Sequence, residues 1–493
     1  MEMEKILIVA ILVIGAVWRL PQFAPSSLNW DEVSLGYNAY SLLQTGRDEW
    51  GVVLPNIFRA FGDYKLPTYI YMTVLWPMLP RLTSFIAGVL VILVSYLLAK
   101  KIFGREVGIL TALLVAVSPW TVFLSRIAVE ANLGFLIITL GVCCFVYKKY
   151  LTAGIFLGLS AWTYNSARIF SPLITLFTKN KKTAFMASIF LIPMIFQLFS
   201  TVGQARYQNL SLLDSGAIGK INQLQTQEWG GRLLYNKVTY WSYSFVTNYL
   251  SYFAPDFLFI KGGSHYQFNI PGQGLLYIVC LPFFYLGIFR SRKNSILMIW
   301  LFTAPIAGSI TRDSPHTLRA ITMLPLPMLF SAVGLAWVAS KIKVKKMFYL
   351  TFVLLIIISN FYYLLSTFKY NRDYSWAWQE GYKQVVQMVK EKYDKYDHIL
   401  ITKKYGEPHE FVAFYWPWNP KTFVTDKSWD YHDNWYWVNK LGKIEFVNDW
   451  EMNTYKYLPK TLVISSPENK LVGKKLKQID FLDGKPAFIL SEL

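Results

Sequence analysis

The sequence predicts a polytopic α-helical membrane protein of about eleven spans carrying a small extracytoplasmic α/β domain at its C-terminal end. Three observations lead there. Apolar residues arrive in long blocks, basic residues gather in short connections between the blocks, and the composition changes after residue 370. Of the 493 residues, 54% are hydrophobic and 17% aromatic, and their delivery in blocks marks spans rather than an enlarged soluble core. The predicted division is 1–370 for the membrane domain and 371–493 for the outer domain.

The first block, 5–20, is followed by Arg19 and Pro21 rather than by a small-residue cleavage site. It reads as a retained span, with a cleaved signal peptide as the alternative. Further spans are expected near 82–100, 107–125, 131–147, 150–164, 167–178, 183–202, 274–289, 295–311, 318–340 and 347–366. The net charge of +19 is concentrated in five of the connections: Lys100, Lys101 and Arg105; Lys148 and Lys149; Lys179, Lys181 and Lys182; Arg290, Arg292 and Lys293; Lys341, Lys343, Lys345 and Lys346. Such loops face the cytoplasm by the positive-inside rule, so the charge sets topology and does not call for a nucleic acid. An odd number of spans then puts the N-terminus inside and everything after 366 outside. Cys143, Cys144 and Cys280 all lie in apolar runs, without disulfide or metal-ligand spacing, and read as packing residues.

The outer face collects the polar residues. Its first loop, about 21–81, holds Asp31, Glu32, Asp48, Glu49, Asp63 and Lys65, and its apolar stretch 66–79 reads as a short helix in the membrane interface. Later outer connections run from Ser125 to Asn132, from Tyr164 to Arg168, over 203–273 with His265, and from Thr311 to Arg319. Hydrophobic spans do not explain why one face should carry recurring Asp, Glu, Arg, Lys and His; a site at the outer membrane surface does.

In the outer domain, 375–395 predicts an amphipathic helix and 407–416 a second one. Strands are expected at 398–402, 422–425, 443–447, 461–465 and 487–490. Trp429, Tyr431, Trp435, Tyr436 and Trp437 either stack on sugar rings or pack among themselves. No nucleotide-binding loop, paired-histidine motif or serine-hydrolase elbow is present.

Within the first loop, Asn29-Trp30-Asp31-Glu32 precedes a helical segment from Val33 to Gln44 that Gly46 is placed to stop, so Asn29 or Asp31 can cap it. Four further segments follow in order: Tyr64-Lys65-Leu66-Pro67; Ser118-Pro119-Trp120 through Arg126 to Glu130; Asp256-Phe257 with Ile270-Pro271-Gly272; and Pro315-His316 to Arg319. Taken together they resemble the GT-C glycosyltransferases, above all the dolichyl-phosphate-mannose protein mannosyltransferases and bacterial relatives such as the aminoarabinose transferases. The resemblance covers most of 1–366; Leu66 stands where the family pattern has a proline.

The resemblance implies an inverting transferase that uses no nucleotide sugar. Its donor would be a polyprenyl or dolichyl phosphate carrying a sugar, and its acceptor a hydroxyl of a protein, a lipid-linked glycan or a cell-wall polymer. An oligosaccharide ligase is the neighbouring alternative. A transporter or flippase of lipid-linked sugars is the alternative from another class, and it would call for internal repeats and charged midplane helices that the sequence does not show clearly. A carboxylate must take the proton of a poorly nucleophilic hydroxyl, and Asp31, with Glu32 beside it, is the candidate. A leaving lipid phosphate needs fixed cations, for which Lys65, Arg319 and Arg126 are candidates in that order. Glu130, Asp63 and His316 are candidates for orienting substrate. A divalent metal ion, if one takes part, would draw on Asp63, His265 and Glu130.

Overall fold

The structure is a computed structural model and describes residues 2–200, 203–204, 210–452, 454–455, 457–469 and 473–493. The last two residues of the span expected at 183–202, and 205–209 of the outer segment, lie outside the described residues. The chain divides into two compact units.

The first unit comprises Met1–Leu20, Ser84–Ser125 and Glu130–Leu364 and is helical. Among the described residues, Pro80–Phe103, Lys181–Leu198, Ile321–Ala339 and Lys345–Asp373 are long and apolar enough to cross a membrane. The span expected at 107–125 is two helices, Arg105–Val117 and Pro119–Ser125, bent by 54° at their junction. Pro119 has no amide hydrogen to donate, and it forces Ser118 into an extended conformation, which ends the first helix. The remaining expected spans are shorter apolar helices, including Glu130–Val146, Tyr150–Ser160 and Ala167–Phe177. The exposed faces of the long helices are apolar, as a lipid solvent requires, and the chain is a membrane protein.

Two local devices hold this unit together. Arg19, at the end of helix Glu2–Trp18, is 1% exposed. Its guanidinium donates to the carbonyls of Gly15 (2.8 Å), Ala116 (2.7 Å) and Val115 (3.0 Å), taking up acceptors left open at a helix C-terminus. Helices Leu281–Ser291 and Leu326–Ala339 meet through paired glycines. A Cβ on Gly287 would strike the carbonyl of Phe330, and one on Gly334 would strike the carbonyl of Phe283.

The second unit comprises Pro21–Thr83, Arg126–Val129 and Leu365–Leu493, so the long loop after the first helix belongs to the same compact body as the C-terminal domain. In that loop, helix Trp30–Thr45 is followed by a two-stranded hairpin, β1 (Phe58–Arg59) and β2 (Tyr64–Lys65), and by helix Pro67–Thr73, which is too short to span a bilayer.

The C-terminal part is a seven-stranded mixed sheet with the order β4-β5-β6-β3-β7-β9-β8. Its strands are β3 (His398–Thr402), β4 (Lys427–His432), β5 (Trp435–Leu441), β6 (Ile444–Val447), β7 (Thr461–Ser465), β8 (Lys474–Asp480) and β9 (Pro486–Glu492). Parallel β3, β6 and β7 form its centre. β3 and β7 are short β-branched and leucine runs, and the centre of the sheet packs against Val385, Val386 and Val389 of helix Tyr382–Lys392 and Phe411 and Val412 of helix Pro408–Tyr415.

Two expectations are corrected here, and a run without an expected structure is placed. The run 422–425 is helical, within Pro420–Asp426, because the Asn419 side chain accepts from the Lys421 amide and Pro420 opens the turn. The helix expected over 375–395 is reduced to Tyr382–Lys392, since left-handed Gln379 (φ 49°) and Gly381 (φ 104°) interrupt it. The aromatic run 429–437 is the hairpin β4–β5, turned by left-handed Asp433 and Asn434.

Candidate active site

Helix Trp30–Thr45 begins with a complete capping box. The Asn29 side chain accepts from the Glu32 amide (3.0 Å), and Glu32 Oε2 accepts from the Asn29 amide (3.0 Å). Arg81 grips the same carboxylate through Nε to Oε1 and Nη2 to Oε2, both at 2.7 Å. It also donates to the carbonyls of Pro25 and Ser27. The Ala128 amide adds a 2.7 Å bond to Glu32 Oε1. Glu32 is 1% exposed, and all of this engages both of its oxygens with donors of the protein itself. It acts as the buried knot that fixes the first turn and ties segment 126–129 to it.

Asp31, one residue earlier, points the other way. Its side chain is 56% exposed. Lys65 Nζ lies 3.1 Å from Oδ1 and also donates to the Asp31 carbonyl, while the Trp30 indole donates to Oδ2 at 3.2 Å. Lys65 is delivered by β2 of the hairpin immediately before Pro67 opens the next helix, and its side chain is 10% exposed. Asp63 forms the hairpin turn, accepting from the Tyr64 amide at 2.7 Å. Arg126, 2% exposed, lies over the Phe23 ring at 5.3 Å. Asp31, Glu32, Lys65, Asp63 and Arg126 therefore share one unit.

Arg319, His316, His265 and Glu130 belong to the helical unit. Arg319 donates to Thr311 Oγ1 (2.7 Å) and pairs with Asp313 (3.2 Å), and its buried Nε has no hydrogen-bond partner. It borders a cavity of about 540 Å³ with mainly apolar walls, among them Ile169, Leu198 and Ile310, in which Arg168 is a second guanidinium. His316 is held by its own turn: Nδ1 accepts from the Leu318 amide, and its backbone amide donates to the Tyr252 hydroxyl. The His265 ring lies 5.7 Å from the His316 ring. Glu130 opens helix Glu130–Val146.

Asp63, His265 and Glu130 belong to no group among the described residues close enough to hold a metal ion. Among the described residues, the group close enough to hold a metal ion is Glu49, His409 and Glu410. Burial, reinforced by Glu49, pushes the Glu410 carboxyl well above the ordinary range, and burial draws the His409 imidazole well below its own. Sequence reasoning missed these residues, and Arg81 and Arg168 as well. For the two arginines a signal existed: each stands on the predicted outer side, where the positive-inside rule expects few basic residues.

In the aromatic hairpin, Trp435 stacks on Phe61 and donates to Glu407, so it packs inward; Trp429 and Tyr431 remain exposed.

No known family profile and no curated protein sequence matches this chain. Solved structures do. ArnT from Cupriavidus metallidurans bound to undecaprenyl phosphate superposes with a TM-score of 0.54 at 11% identity, over 99% of this chain and 97% of that one. Its apo state gives 0.52 at 13% identity over the same shares. The archaeal oligosaccharyltransferase AglB from Archaeoglobus fulgidus, in complex with an inhibitory peptide and a dolichol-phosphate, gives 0.50 at 14% identity over 83% of this chain. The chain spans 63% of AglB's length. At these identities the likeness establishes a shared fold.

Proposed function

We propose, from the fold shared with ArnT and AglB, that this chain is an inverting GT-C-type membrane glycosyltransferase. In this reading it moves a sugar from a polyprenyl- or dolichyl-phosphate donor to a hydroxyl acceptor on the extracytoplasmic face. The N-terminus is then cytoplasmic and the C-terminal domain outside. The observation that carries the reading is the division of labour at Asp31-Glu32: one carboxylate is locked into the fold and its neighbour is presented to solvent beside a lysine. A fixed, accessible carboxylate with an ammonium at 3.1 Å is what a hydroxyl-to-phosphate exchange requires.

The acceptor oxygen attacks the anomeric carbon from the side opposite the phosphate. The new glycosidic bond forms as the carbon–oxygen bond to phosphate breaks, the hydroxyl proton passes to Asp31, and the lipid phosphate leaves with the bonding pair. Lys65 is the group for that phosphate in its unit; when phosphate takes the ammonium, an Asp31 oxygen is released to accept the proton. Glu32 is assigned to positioning. In the helical unit, Arg319 and Arg168 bordering an apolar cavity have the character of a site for an anionic lipid. Glu130, Asp63 and His316 are assigned to orienting roles, Arg126 to a subsidiary one. Overlap with ArnT along almost its whole length supports a monosaccharide donor over the longer glycan of a ligase.

The test is transfer of a radiolabelled sugar from a polyprenyl-phosphate monosaccharide by the purified protein in lipid, with a membrane extract as the acceptor source. Transfer by wild type and its loss in Asp31→Asn supports the reading. No transfer by either protein across a panel of sugars overturns it.

A further inference from the structure

The second unit buries a group of chemistry-bearing side chains that the transfer reaction does not use. Glu49 follows helix Trp30–Thr45 in a tight turn in which Asp48 accepts from the amides of Trp50 (2.9 Å) and Val52 (2.8 Å). That turn sends the Glu49 side chain inward, where Asn38 donates to Oε1 at 2.7 Å. His409 and Glu410 stand in the first turn of helix Pro408–Tyr415. Glu49 is 1% exposed, and His409 and Glu410 are fully buried.

One ligand atom from each of the three lies within 4.8 Å of the other two. By geometry no donor reaches Glu49 Oε2, either Glu410 oxygen or either His409 ring nitrogen; only the Glu410 and Glu49 carboxyls approach closely enough to share a proton. A buried polar group without a partner costs about 1–3 kcal/mol. With His409 Nδ1 turned to Glu407, four such atoms remain to call for a shared partner. Groups that would orient the histidine are already in place. Glu407 Oε2 is 3.5 Å from His409 Nδ1, and the other Glu407 oxygen is held by Trp435 at 2.7 Å, while His409 Nε2 faces Glu410 Oε1 at 3.7 Å. A carboxylate behind the distal nitrogen of an imidazole is the arrangement that orients a metal-binding histidine.

Charge points the same way. Asp48, Glu49 and Glu410 are opposed at close range by Lys427, whose Nζ donates to the Glu49 carbonyl at 2.9 Å. Lys65 also acts on Glu410, but Asp31 pairs with it. With these carboxylates ionised and Glu407 beside His409 a further acid, negative charge exceeds the single Lys427 ammonium, and a divalent cation offsets it. One imidazole nitrogen with carboxylate oxygens suits zinc and its first-row neighbours better than the all-oxygen preference of calcium or magnesium.

We propose that Glu49, His409 and Glu410 bind one divalent transition-metal ion of the zinc class, which clamps the turn after the Asp31-bearing helix to the C-terminal sheet domain. The ion is structural and independent of the transferase reading.

The full-length protein, purified in detergent without chelator or polyhistidine tag, should carry about one zinc-class ion per chain by elemental analysis. Chelation should lower its Tm, and zinc chloride should restore it where magnesium chloride does not. His409→Gln and Glu410→Gln should lose the metal, whereas Asp63→Asn and His265→Gln should keep it. Wild-type protein that holds no metal and whose Tm ignores zinc overturns the proposal, as does stoichiometric metal retained by the Glu410→Gln protein. X-ray absorption on the wild-type zinc form needs no variant to fold. It should show a single imidazole nitrogen among oxygens, and two or more imidazoles would sink the assignment.

Discussion

Asp31 and Glu32 are adjacent carboxylates with opposite surroundings, and substitution should separate them. Asp31→Asn keeps the turn and removes the proton acceptor, so turnover should fall about 10²–10⁴-fold while Tm stays within a degree or two of wild type, read by sugar transfer and by intrinsic fluorescence. Glu32→Ala strands the Arg81 guanidinium among buried groups and should cost about 3–5 kcal/mol, read as a large fall in Tm before any kinetic effect is interpretable. Lys65→Met should raise the KM for donor far more than that for acceptor; equal effects on the two substrates would argue against phosphate contact. That a carboxylate pair would stand at this helix start was legible in the order of residues; the Lys65–Asp31 ion pair was not, since Lys65 was expected for the donor phosphate. Which carboxylate faces solvent was not, because that depends on Arg81 and on the Ala128 amide, distant in sequence.

Elements here are set by a few residues each, and two predictions belong at this scale. Asn29→Ala deletes one half of the capping box and should cost about 1 kcal/mol, with the Tm loss smaller than that of Glu32→Ala. Gly334→Leu should prevent helix Leu326–Ala339 from approaching Leu281–Ser291, giving protein that aggregates on extraction into detergent, since the carbonyl of Phe283 occupies the space a side chain would need. Central strands were readable because short β-branched runs buried on both faces have few other fates: 398–402 and 461–465 stand as β3 and β7. The run 422–425 looked the same and folded as a helix, because an Asn-Pro cap outweighed its β-branched residues. The span expected at 107–125 was read as unbroken; its proline was in view, but the 54° bend at Ser118–Pro119 was not.

At the scale of the whole molecule, the charge pattern makes a prediction of its own. A reporter active only outside the cytoplasm should be active when fused after Leu493 and silent when inserted between Lys341 and Lys346. The reverse pattern would invert the assigned topology. Composition and periodicity by themselves determined the class of this protein, an apolar helical body with an appended α/β domain, because long apolar blocks and loop charges are local properties that act through the solvent on either side. Motif order likewise pointed to the fold that ArnT and AglB share. Only the tertiary structure decided that the loop at 21–83 folds into one body with the C-terminal sheet. It alone brought Glu49 to His409 and Glu410, and Glu32 to Arg81. Those pairings cross up to 361 positions of sequence, and no local preference encodes them. The Glu32–Arg81 pairing exists because a buried carboxylate must find a partner wherever the packed chain supplies one.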